Sequence, residues 1–207
     1  MNIPEALSPR LPPSTATERG AEILASIRSA FAEKGFDGAS MQDLARAAGM
    51  SVGNFYRYFP SKDAIISAMA AYDMAEMEAD FAALHAAADP IAEIRAKIRF
   101  KIGDGCAENG RLWAEITAAA LRKPEIAQIS CGVEEMVARN MVELMARLGG
   151  IPVERAQERF APRIRFIVML VKSAAMRRIS TTDPEVEALV LKTIDDTLND
   201  ILSDARV

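Results

Sequence analysis

Apolar positions recur along this chain with the period of an α-helix, and no segment shows the strict alternation of a half-buried strand. Ile23, Leu24, Ile27, Ala30 and Phe31 share one face of a segment from Ala21 to Lys34. Gly35 ends it, after a cation in the last turn. Ser40 can cap a short helix from Met41 to Ala48, with Asp43 in its first turn, and Gly49 breaks it. Ser51 caps a second short helix through Tyr58, which Pro60 forbids from continuing. Ser61 opens a helix from Lys62 to Ala87 with no interior Gly or Pro, roughly 40 Å long by the α-helical rise.

The remainder reads the same way. Ile91, Ile94, Ile98 and Ile102 form a stripe after Pro90 that stops at Gly103. Leu112, Trp113, Ile116, Ala120 and Leu121 form another, closed by Pro124. A long third stripe joins Ile126, Ile129, Val133, Met136, Val137, Met141, Leu144 and Leu148, and Gly149-Gly150 stops it. A helix from Pro162 to Ile179 is apolar nearly all round between Phe166 and Val171, so it must be covered on both sides. Val186, Leu189, Val190, Ile194, Leu198, Ile201 and Leu202 give a final stripe after Pro184. The predicted class is all-α, with about nine helices and no internal repeat. Residues 1–16, with Pro4, Pro9, Pro12 and Pro13, read as a flexible tail.

Composition narrows the chemistry. A chain of 207 residues makes one or two domains with a real core. No apolar run is long enough to span a membrane, and Met1 to Arg10 lacks a signal-peptide layout, so a cytoplasmic protein is expected. His85 is the single histidine, which excludes a two-histidine metal site and leaves one residue for any Ser/His/Asp triad. Neither GxGxxG nor GxxxxGK[ST] occurs, and Cys106 and Cys131 form no CxxC. These absences do not exclude catalysis, but they remove its commonest signatures; no catalytic residue, metal ligand or cofactor is expected, and the chain is not expected to be an enzyme. Residues 1–63 hold seven basic and seven acidic side chains, so the net charge of −4 lies wholly in the acidic remainder. Any contact with nucleic-acid phosphates belongs to the N-terminal block.

The informative stretch is Gly35 to Asp63, GFDGASMQDLARAAGMSVGNFYRYFPSKD. Two short capped helices meet at Ala48-Gly49-Met50, the grammar of a helix-turn-helix. Leu44, Ala45 and Ala48 are small or apolar, as packing against Phe55 requires. Ser51, Gly53, Asn54, Arg57 and Tyr58 offer a polar or small surface that lets a helix sit deep in a major groove. Asn can bond an adenine edge and Arg a guanine edge. The same grammar serves helical hairpins that never touch DNA, and the residues alone leave both readings open.

The string resembles the DNA-binding signature of the TetR (tetracycline-repressor-like) family of bacterial regulators. The resemblance rests on Gly35, Ser40, Asp43-Leu44-Ala45, Ala48-Gly49-Met50-Ser51, Gly53, Phe55-Tyr56-Arg57-Tyr58-Phe59 and Lys62, and runs from about Ala21 to Ile66. It implies a tail at 1–16, a three-helix DNA-binding domain at 17–63, and a helical ligand-binding and dimerisation domain at 64–207. It also implies a homodimer on a double-stranded, pseudo-palindromic operator, a repressor released by a small-molecule effector. By position, Ser40, Tyr56, Tyr58 and Lys62 would hold phosphates, chemistry that suits hydroxyls and a lysine at helix starts. Gln42, Val52, Gly53, Asn54 and Arg57 would meet base edges, with Gln42 and Asn54 as the main readers. Phe59 and the rings of Tyr56 and Tyr58 also suit core packing, and Arg10 and Arg19, in or near the tail, suit a solvated tail or a reach into a minor groove.

Beyond Ile66 the resemblance is one of architecture. A pocket is expected among the middle helices, with Phe81, Phe100, Trp113, Met136, Met141 and Met169 as apolar candidates and Asn140 as a polar anchor. Phe166, Leu170, Val186, Leu189, Val190, Ile194, Leu198 and Ile201 are expected at a dimer interface. His85 suits the end of its helix, and both cysteines are expected to be buried. The alternative is a helical small-molecule carrier or protein-interaction module that has lost DNA binding.

Overall fold

A computed structural model describes residues 18–103, 107–177 and 183–205. Among them are nine helices and no strand: α1 (Glu18–Lys34), α2 (Met41–Ala47), α3 (Val52–Tyr58), α4 (Lys62–Ala86), α5 (Pro90–Ile102), α6 (Ala107–Ala120), α7 (Pro124–Gly149), α8 (Val153–Arg177) and α9 (Pro184–Ala205). The all-α class follows directly. Residues 1–16 with Arg10, as well as Cys106 and Ile179, lie outside the described residues. None of the helices is long and apolar enough to cross a membrane.

Packing divides the chain into two units, Met1–Ala75 with Arg111–Ser130, and Glu76–Gly110 with Cys131–Val207. The first is built on Leu24, Ile27 and Phe31 of α1, Leu44 and Ala45 of α2, Phe55 and Phe59 around α3, and Ile65, Ile66 and Met69 of α4. Leu112, Ala119 and Ile126 complete that core from α6 and the start of α7. Each apolar face buries the i, i+3, i+4 stripe read from the sequence, and burial of this kind, at about 25 cal/mol per Å², holds helices as short as α2 and α3. Arg28 of α1 pairs with Asp73 of α4 at the edge of this core.

The second unit packs α5, α8 and α9 with the later turns of α7 around Phe81, Ile94, Met145, Phe160, Ile164, Ile194, Leu198 and Ile201. Asp195 of α9 accepts from both Arg95 and Arg99 of α5, each at 3.1 Å. At Gly149 any side chain would collide with α9, since a Cβ would stand 2.8 Å from that of Ala205. Gly150, at φ +63°, ends α7 with its N–H on the Arg147 carbonyl and that of Ile151 on Ala146.

Two expectations change here. Pro162 does not start α8; the helix begins at Val153 and runs through it. An interior proline costs about 3 kcal/mol, but Ala156, Phe160, Ile164 and Ile167 form one unbroken buried stripe across it. Pro162 and Glu158, whose carbonyl loses its partner, both face solvent. The second change is Cys131, which is exposed, because it shares the outer stripe of α7 with Gln128 and Glu135.

Candidate nucleic-acid interface

The two short helices are built by local chemistry. Ser40 caps α2: its Oγ accepts the Asp43 N–H at 3.1 Å, and Asp43 Oδ2 accepts the Ser40 N–H at 3.0 Å, a reciprocal capping box. Ser51 caps α3, its Oγ accepting the Asn54 N–H at 3.4 Å. Between them Gly49 adopts φ +64°. Its N–H reaches the Arg46 carbonyl at 3.1 Å and the Met50 N–H reaches Ala45 at 2.9 Å, so the last carbonyls of α2 are satisfied inside the turn.

Behind this frame Phe55 and Phe59 are buried, their rings 5.1 Å apart and tilted, against Leu44 and Ala45. In front of it Gln42 of α2 and Val52, Gly53, Asn54, Tyr56 and Arg57 of α3 are all exposed. The structure therefore brings the expected base readers together on the two helices, with the core phenylalanines on the opposite side. Tyr56 is 47% exposed, which sets it apart from core packing, while Phe59 is core. Tyr58 is half-buried against the first unit's core, with its ring supporting the fold. Gly53 has open space where a Cβ would be, so nothing inside the chain requires a glycine there.

Ser40 and Lys62 are less free than their positions suggested. The Ser40 hydroxyl donates to Asp43 Oδ2 at 2.5 Å as well as capping α2. Lys62 Nζ donates to the Phe36 carbonyl at 2.7 Å and the Asp37 carbonyl at 3.0 Å, leaving one N–H. Arg46 was missed. It lies four residues after Gln42, hence on the same side of α2, and it is exposed with only a loose 3.5 Å pairing to Asp43. That i, i+4 spacing was the available signal. Arg19 lies in the first turn of α1.

The other candidates are dispersed. Trp113 is in the first unit, whereas Phe81, Phe100, Met136, Asn140, Met141 and Met169 are in the second. Phe81, Met136 and Met141 are buried. Phe100 is 65% exposed and Met169 55% exposed, because each falls on the solvent side of its helix, which corrects both as interior lining. Asn140 donates to the Met136 carbonyl one turn back at 2.9 Å, a satisfied amide. His85 is half-buried in the last turn of α4. Of the expected interface residues, Ile194, Leu198 and Ile201 are corrected: they face their own unit's core and are fully buried in it. Leu170, Val186 and Val190 are half-buried, and Phe166 and Leu189 are exposed.

Two capped helices set by a left-handed glycine turn, with a polar outer face backed by aromatic core, define a helix-turn-helix protein. A family model described as bacterial regulatory proteins of the tetR family matches residues 23–69. Over these residues the chain is similar to that family. Over 58 residues it is 40% identical to an uncharacterized HTH-type transcriptional regulator, YvdT, of Bacillus subtilis (strain 168), covering 28% of this chain and 30% of that protein. Over 71 residues it is 37% identical to the HTH-type transcriptional repressor Rv1474c of Mycobacterium tuberculosis, covering 34% of this chain and 38% of that one. The match thus spans about a third of these relatives' own length. In fold, the chain is similar to a transcriptional regulator from Rhodococcus sp. Rha1, with a TM-score of 0.68 and 19% identity, over 92% of this chain and 99% of that one. It is also similar to a multidrug binding protein, EbrR, solved with proflavin, with a TM-score of 0.52 and 21% identity, over 87% and 99% of the two chains.

Proposed function

We propose that this chain is a DNA-binding transcriptional regulator that acts as a homodimer, represses from a pseudo-palindromic operator, and is released by a small molecule. The observation that carries the DNA-binding part is the outer face of α2 and α3, where Gln42, Val52, Gly53, Asn54 and Arg57 stand clear of the core. Gln42 and Asn54 would read adenine edges, Arg57 a guanine, and Val52 a thymine methyl. Tyr56, with an exposed phenol, and Arg46 would hold phosphates, joined by Tyr58, Ser40 and the remaining N–H of Lys62.

Repression is supported by the name of the mycobacterial relative. Release by a ligand is supported by the drug-binding name of the EbrR neighbour, with Phe81, Met136 and Met141 as the residues whose pliable packing suits an apolar effector. Coupling along α4, uninterrupted from Lys62 to Ala86, would join ligand to DNA. A pair of glycines at Met74 and Ala75 should then leave operator binding intact and abolish release.

The test is selection of bound duplexes from a random pool at two salt concentrations. Recovery of a pseudo-palindrome with half-sites about one DNA turn apart, bound more weakly at high salt and lost in Tyr56→Ala, supports the reading. A folded chain that enriches no duplex overturns it in favour of a carrier or interaction module.

A further inference from the structure

We infer that Glu115, on α6, is a positioning residue for DNA binding: its carboxylate fixes the turn between α1 and α2, and through it the setting of the helix-turn-helix. The inference rests on the DNA-binding reading above. The Phe36 N–H donates to Glu115 Oε2 at 2.7 Å, across 79 positions of sequence. The same carboxylate stands over Gly35, where a Cβ would lie 3.3 Å from Oε2 and where φ is +74°.

The rest of the turn is gripped as closely. The carbonyls of Phe36 and Asp37 accept from Lys62. The Phe36 ring is buried, stacks on Phe31 at 5.6 Å, and has the ammonium groups of Lys62 and Lys123 at 5.4 and 5.0 Å from its centroid. Lys123 in turn pairs with Asp63 in the first turn of α4 at 2.9 Å, and Arg122 with the exposed Asp37 at 3.0 Å. Backbone bonds hold the ends of the turn, Gly35 N–H on Phe31 and Ala39 N–H on Gly35, but at its centre side chains satisfy the Phe36 N–H and the Phe36 and Asp37 carbonyls. Displacing it breaks charge-assisted hydrogen bonds, which are shorter and stronger than neutral ones.

What the turn sets is the start of α2. Ser40, the cap, follows Phe36 by four residues, and α2 packs on both α1 and α3. Glu115 holds the turn's main chain from α6, so its loss frees the α2–α3 pair to tilt while the buried phenylalanines keep the unit folded. The Arg122–Asp37 pair is exposed on both sides and contributes little.

The experiment compares full-length wild type with Glu115→Ala, Glu115→Gln, Glu115→Asp and Arg122→Ala. It reads affinity for the selected operator, thermal unfolding, and amide hydrogen exchange at Phe36 and along α2 and α3. Glu115→Ala is expected to lose about tenfold or more in affinity, with cooperative unfolding retained and faster exchange at Phe36. Glu115→Gln keeps an acceptor oxygen and restores most of the affinity; Glu115→Asp, one methylene short, falls between; Arg122→Ala stays near wild type. Wild-type affinity in Glu115→Ala, or equal losses in the Ala and Gln variants, overturns the inference. Should Glu115→Ala not fold, wild-type affinity in Glu115→Asp overturns it instead. Failure of the DNA-binding reading looks different: wild type then enriches no duplex, while exchange at Phe36 still responds to Glu115→Ala.

Discussion

Lys34 Nζ stands 2.7 Å from Asp43 Oδ1, so the last residue of α1 is tied to the first turn of α2. The other carboxylate oxygen takes the N–H and the hydroxyl of Ser40. The Lys34 hydrogen bond, then those from Ser40, hold the Asp43 carboxyl well below the usual carboxylate range. A depressed pKa in the folded state gives stability that is present above the ordinary value near 4 and is lost as pH falls below it. Asp43→Asn should therefore be less stable than wild type at neutral pH, and the gap should begin to narrow below about pH 5 and keep closing well below pH 3. Urea unfolding at several pH values checks this, and a gap independent of pH would contradict it. Ser40→Ala removes the cap together with the hydroxyl's bond to Asp43, and loss of the cap should cost about 1 kcal/mol.

Gly49 poses a backbone question with no packing answer mixed in. Its φ is +64°, yet a Cβ there would meet nothing within 4 Å. Gly49→Ala should thus cost about 1–2 kcal/mol through the left-handed conformation alone, and Gly49→Asn less. Equal stability of the three proteins in urea would mean that the turn between α2 and α3 does not need this conformation.

Gly53 is the reverse case. A Cβ would again meet open space, but no positive φ is involved, so alanine costs the fold nothing. Gly53→Ala should leave stability unchanged or raise it by about 0.5–1 kcal/mol, as expected of a helical glycine replaced by alanine. Operator affinity should nonetheless fall, because the methyl holds the backbone of α3 away from the groove. A variant that is both more stable and equally tight in binding would remove Gly53 from the interface.

The helices most legible in the sequence are those whose signals are local. Ser40, Ser51, Gly49 and Pro60 bound α2 and α3 because caps, left-handed glycines and prolines act within one turn of themselves. The stripe that buries Leu24, Ile27 and Phe31 was equally local. What could not be read is what depends on distant partners. Nothing near Glu115 announces that it grips Phe36, and nothing near Lys62 distinguishes a lysine on a phosphate from one on two carbonyls. Pro162 misled for a related reason: a local breaker was outweighed by Phe160 and Ile164 packing on either side of it. On α9 periodicity found an apolar stripe, but it could not separate Ile194, Leu198 and Ile201, which face inward, from Leu189, which faces out.

That outward side bears on assembly. Phe166 and Met169 of α8 and Leu189 of α9 are 40%, 55% and 63% exposed, large apolar side chains on the two helices expected to pair subunits. Covering each removes about 1.5–3 kcal/mol of unfavourable hydration at full burial, whereas a carboxylate buried there without a partner costs more than that gain. Leu189→Asp and Phe166→Glu should therefore yield folded monomers in sedimentation velocity, since neither residue belongs to the second unit's buried core. Operator affinity should fall by about two orders of magnitude or more, because the second half-site is no longer held at high effective concentration. Arg165→Ala, which removes an exposed pair with Glu135 of α7, should leave the dimer intact. Dimers that survive both apolar substitutions would place the subunit contact on another surface. Monomers that still bind the full operator at wild-type affinity would show that a single α3 reads enough DNA by itself, and the argument for a two-fold operator would fall with them.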